Sequence, residues 1–72
     1  MARGVVKFFK AEKGWGAISS TELPAGCDAW VHFSAIDMDG FRALEAGEKV
    51  EFSYHEAQQD GFRFVADHVR RL

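Results

Sequence analysis

Residues 13–18 read KGWGAI and residues 29–33 read AWVHF, and together these two stretches decide what kind of sheet the chain builds. A strand alternates its side chains between two faces. In AWVHF that period sends Ala29, Val31 and Phe33 one way and Trp30 and His32 the other; in WGAI it sets Trp15 and Ala17 against Gly16 and Ile18. Val31 and Ile18 are core residues by type, so the opposite faces point to solvent and carry Trp15, Trp30 and His32. Ala17 points the same way, toward solvent, a small residue where a ring could stand. Trp15 has a glycine on either side, and glycine in a strand marks a bend or a close backbone approach. Three flat rings on the outer side of a small sheet make a surface that can stack on something.

Working outward, the chain reads as five short strands with no convincing helix. GVVKFFK (4–10) and WGAIS (15–19) are rich in β-branched and aromatic residues and are joined by a short link. The loop 19–28 carries the only proline, and the third strand follows at 29–33. The segment 34–48 has turn chemistry at Asp39-Gly40 and Ala46-Gly47 and leaves room for at most one helical turn. KVEFSYHE (49–56) alternates, with Val50, Phe52 and Tyr54 on the core side, and GFRFVADHVRR (61–71) is entered through Asp60-Gly61, a strong hairpin signal. Phe64 and Val69 complete the expected core. Five short strands in so short a chain predict a small all-β, antiparallel barrel, since closure hides the sheet edges. The OB-type and SH3-like barrels both fit this spacing.

With 72 residues, one domain spanning 1–72 is expected, near the lower limit for folding on a single core. The hydrophobic fraction of 47% and charged fraction of 28% are those of a globular protein. A single cysteine, Cys27, allows no internal disulfide. The apolar run at the N-terminus is too short for a signal peptide, and no stretch approaches the roughly 18 apolar residues of a membrane span. A soluble, cytoplasmic protein with no membrane partner is expected.

The net charge of −2 argues by itself against a polyanion partner. Its distribution argues otherwise. Arg3, Lys7, Lys10 and Lys13 face a single acid, Glu12, within residues 1–18, whereas acids outnumber bases from Ser34 onward. Lysines interleaved with aromatics suit single-stranded nucleic acid, bases on the rings and phosphates on the cations. No nucleophile and base grouping, phosphate loop or metal-ligand spacing is present, and His55 and His68 fall on neighbouring strands without facing each other. An enzyme, a cofactor and a small-molecule substrate are therefore not expected. The rival is an SH3-like module that receives a proline-rich peptide on its aromatic surface. Such a groove needs no lysine row.

KFF (7–9), KGWGAI (13–18), DAWVHFSAI (28–36) and GFRAL (40–44) resemble, in order and spacing, the signature blocks of the bacterial cold-shock domain family. The resemblance covers nearly the whole chain and thins after His55. It implies a five-stranded OB-type barrel that binds single-stranded RNA and DNA on its first three strands and acts as an RNA chaperone. Carried over by position, the binding residues are Lys7, Phe8, Phe9, Lys13, Trp15, Trp30, His32, Phe33 and Phe41. Placing Phe8 and Phe9 on one face requires a bend or bulge in that strand. The chain departs from the family's pattern at several points. Ala17 stands where a second aromatic is usual, Trp15 and Trp30 replace phenylalanines, Phe8 replaces a tryptophan, and Lys10 replaces an asparagine. GFRFV begins the last strand where a glycine-proline pair is usual. A monomer is expected, with a dimer left open.

Overall fold

The computed structural model, which describes residues 1–37 and 43–72, strings five strands in the order β1 (Ala2–Lys10), β2 (Trp15–Ser19), β3 (Asp28–His32), β4 (Lys49–Gln59) and β5 (Phe62–Arg71). A 3₁₀ turn, Phe33–Ala35, follows β3. The strands close into a barrel in the spatial order β1-β2-β3-β5-β4. The Asp39-Gly40 turn expected from sequence lies outside the described residues, whereas Ala46-Gly47 forms its turn.

All neighbouring pairs are antiparallel except β3 and β5, which run parallel through Ala29↔Phe64 and Trp30↔Val65. The wholly antiparallel barrel expected from sequence is thereby corrected to a mixed one, for a reason of parity. In a closed ring with an odd number of strands, directions cannot alternate all the way round. One junction must be parallel, and the connection between β3 and β4 places it at β3–β5. The β4–β5 hairpin turns at Asp60 and Gly61, whose φ values of 49° and 85° are those of a type I′ turn.

The side chains closed to solvent inside the barrel are those that the alternation selects: Val6, Ile18, Val31, Val50, Phe52 and Val69, with Ile36 arriving from the segment after the 3₁₀ turn. Phe64 belongs to the same cluster. Tyr54 does not. It is 36% exposed, because β1 covers β4 only as far as the Ala2↔Phe52 pair and the β4–β5 register shifts between Ser53 and Tyr54. Tyr54 thus sits at the rim, its ring tilted against Phe52 and edge-on to Phe64.

The β1–β4–β5 side of the barrel is tied on its outer surface by a row of charges. Arg3, Glu51 and Arg70 are successive cross-strand partners. Arg70 donates from Nε to Glu51 Oε1 at 2.8 Å, and Arg3 Nε lies 3.8 Å from Glu51 Oε2. The Arg70 hydrogen bond, reinforced by the charges of Arg70 and Arg3, holds the Glu51 carboxyl below its ordinary value of 4.5. A carboxylate whose folded pKa is depressed contributes stability above its unfolded pKa and loses it as pH falls through the folded value. Acid titration of stability should therefore be flatter below pH 4.5 in Glu51→Gln than in the unmodified chain, measured by denaturant unfolding. Identical profiles would show that the row contributes nothing.

Candidate nucleic-acid interface

The outer face of β1–β3 is assembled around one close approach. Gly16 on β2 lies opposite Phe9 on β1, and a Cβ at Gly16 would stand 2.3 Å from the Phe8 carbonyl oxygen and 2.8 Å from the Phe9 Cα. Only a hydrogen fits there. At Gly14 the backbone is left-handed, with φ 76°, and a Cβ would stand 2.9 Å from Cδ1 of Phe33. The two glycines that flank Trp15 thus leave space for Phe8, Phe9 and Phe33. Gly16→Ala should lower stability measurably in thermal unfolding, because backbone atoms and not a flexible side chain would have to move.

On the outer side, Phe8 and Trp30 are the cross-strand partners of Ala17. Trp15 is the hub of the cluster. Its ring is edge-on to Phe8 at 5.5 Å, near-parallel to Trp30 at 6.4 Å and 21°, and edge-on to Phe62 at 6.2 Å. Trp30 continues the row to His32 at 5.8 Å and 20°, and His32 meets Phe33 at 4.5 Å. These rings are half-buried by one another, except Phe33, which is 44% exposed. The indole N–H of Trp30 is enclosed and bonds to no protein atom among the described residues, so its position follows from the packing of its neighbours.

Ala17 is wholly buried and yet is not part of the barrel core. It faces outward as the alternation requires. The sequence expectation of a solvent-facing gap is corrected all the same, because the enlarged rings at 15 and 30, with Phe8, close over it. Ala17→Phe would have to displace them. Overpacking of this kind costs about 1–3 kcal/mol, which chemical denaturation should register; unchanged stability would show that the face has slack.

The structure separates Phe8 from Phe9. A register shift between Val6 and Phe8 leaves Lys7 as the extra residue of β1, but alternation resumes after it. Phe9 turns inward and packs half-buried against the core. Phe33 takes the opposite course. Alternation assigned it to the side of Val31, but β3 ends at His32, whose Nδ1 accepts from the Ser34 N–H at 3.3 Å and opens the 3₁₀ turn. That turn re-aims Phe33 outward over Gly14, whose carbonyl accepts from the Phe33 N–H at 2.9 Å. With Nδ1 serving as acceptor, the neutral imidazole carries its proton on Nε2, a donor for phosphate or base.

The cations rim these rings. Lys10 Nζ lies 5.3 Å from the Trp15 centroid and 5.8 Å from that of Phe8, within cation–π range. Lys7 is held by Asp28 at 2.9 Å. Lys10 and Lys13 have no carboxylate partner among the described residues. Phe41 lies outside the described residues. Phe62 is the ring that the sequence reading missed; it stands in GFRFV, where the resemblance had already thinned. Among the described residues, no three histidine, cysteine, aspartate or glutamate side chains are grouped to hold a metal, and no helix is long and apolar enough to cross a membrane.

A family model described as the 'Cold-shock' DNA-binding domain matches residues 2–71. The chain belongs to the cold-shock domain family. A major cold shock protein of Streptococcus pyogenes is 51% identical over 59 residues, covering 82% of this chain and 84% of its own length. The cold shock-like protein CspLB of Listeria monocytogenes is 48% identical over 59 residues, covering 82% and 85%. The major cold shock protein CspA of Bacillus anthracis is 50% identical over 56 residues, covering 78% and 79%. This is a nucleic-acid-binding family and not an enzyme family, so the peptide-binding alternative falls away. The closed order β1-β2-β3-β5-β4 is that of the OB-type barrel.

Proposed function

We propose that this cold-shock domain binds single-stranded RNA and DNA by stacking unpaired bases on Trp15, Trp30, Phe33 and Phe8, and that it acts as an RNA chaperone. The observation that carries this reading is the continuous row of rings through Trp15, in which Phe8 meets Trp15, Trp15 meets Trp30 and Trp30 meets His32 on one side of the barrel. Base–aromatic stacking is worth about 1–3 kcal/mol per base and accepts any base, because every base has a π-face. Bases inside a duplex already spend those faces on one another. Binding therefore draws weakly paired RNA toward the open form by mass action, with no cofactor or energy source. Lys10 and Lys13, which have no carboxylate partner among the described residues, meet phosphate, and His32 offers Nε2–H. The described rings of the row all come from one chain, so the proposed active form is a monomer, and the proposed setting is the cytoplasm, where transcripts are found.

Titration with a short oligopyrimidine tests the reading. Both tryptophans lie in the row, so single strands should quench most of the intrinsic emission while a duplex of equal length does little. Trp15→Ala should weaken binding by more than about tenfold; emission unchanged at saturation would take both rings out of the site.

Salt dependence provides a separate measurement. The slope of log K against log salt should correspond to about two or three phosphates at roughly 0.7 each. Lys10→Gln or Lys13→Gln should each lower it by about one such step, and Lys7→Gln by less, since Asp28 already neutralises that charge. A slope equivalent to five phosphates or more would move the source of affinity from rings to charges.

A further inference from the structure

We infer that β5 supplies an additional base subsite, built on Phe62, that lengthens the stacking row beyond the first three strands. The inference rests on the single-strand reading and adds a position to it. Phe62 opens β5 directly after the Asp60-Gly61 turn. Its ring is half-buried and meets Trp15 edge-on at 6.2 Å. It also lines a concavity of about 250 Å³ shared with Gly26, Cys27, Asp28, Asp60 and Arg63. The space lies between the loop before β3 and the β4–β5 turn, where the row of rings would otherwise end.

The chemistry of the walls selects what enters. Asp28, already paired with Lys7 at 2.9 Å, and Asp60 line the space with carboxylate oxygens, and these need hydrogen-bond donors, which a phosphate, presenting only acceptors, does not bring. A base presents N–H donors on its pairing edge and a flat face to Phe62. The base edge therefore faces the carboxylates and the phosphate faces Arg63, a wall of the same concavity that Glu56 restrains only at 3.5 Å with both side chains exposed. Were Phe62 only a brace for Trp15, which it meets edge-on, its removal would be felt at any strand length. A role in bracing Trp15 and a role in holding its own base make different predictions.

Oligothymidylates of about four and about ten nucleotides separate the two roles, since a short strand fits on the central rings while a long one reaches the hairpin. With the long oligomer, Phe62→Ala should lose about five- to tenfold in affinity; with the short one the two proteins should bind alike. An equal loss at both lengths would mean that Phe62 only supports Trp15, and no loss at either would remove it from the site. A second variant reads the contact directly. In Trp15→Phe/Trp30→Phe/Phe62→Trp the only indole stands at position 62, and the long oligomer should quench it. Unquenched emission with the long oligomer bound would overturn the subsite. Failure of the unmodified chain to bind either oligomer would refute the reading of the whole face and the subsite with it.

Discussion

The absence of a side chain at Gly16 is the constraint on which the rest of the face depends. It lets the β1 backbone at Phe8 and Phe9 come within a hydrogen's breadth of β2. Strand alternation, resumed after the Lys7 bulge, divides two adjacent phenylalanines between the two sides of the sheet at that point. Phe9 fills the barrel and Phe8 leans on Trp15. A methyl group at 16 would push the strands apart and disturb both sides together, so barrel stability and ring placement are coupled at one atom. Gly14 has a parallel role one turn earlier, where it makes room for Phe33.

Once the strands are this close, the outer face becomes a packing problem of its own. Large rings at 15 and 30 require a small residue between them, and Ala17 meets that requirement by disappearing beneath them. The rings stand half-buried beside one another, which lowers the cost of displaying so much apolar surface in water. They also become a rigid array, and a preorganised array orders fewer side chains when bases arrive. The indole of Trp30, whose N–H has no partner among the described residues, belongs to this arrangement, since neighbouring rings locate it.

Much of this was legible in the sequence, and what was not has specific causes. Alternation in AWVHF and WGAI placed Val31, Ile18, Trp15 and Trp30 on the correct sides, because period two is a property of the strand itself. It failed at Phe33, where a side chain to backbone bond from His32 ends the strand, and at Tyr54, where β1 stops short of covering β4. It could not show that Ala17 is covered, which depends on the volumes of residues from two neighbouring strands. The parallel β3–β5 junction follows from strand number alone and was available to simple counting. Phe62 was hidden for another reason: its partner, Trp15, belongs to a strand that does not adjoin β5.

The parity of the ring also bears on the order in which the molecule assembles. Three of its junctions, β1–β2, β2–β3 and β4–β5, join strands that follow each other in the chain, whereas β1–β4 and β3–β5 join distant ones. Closing a long loop costs more entropy than closing a short one, so distant pairings form late. Phe8, Trp15 and Trp30 all lie within the early meander, so the central rings can gather before the barrel exists. Phe62 joins them only on closure.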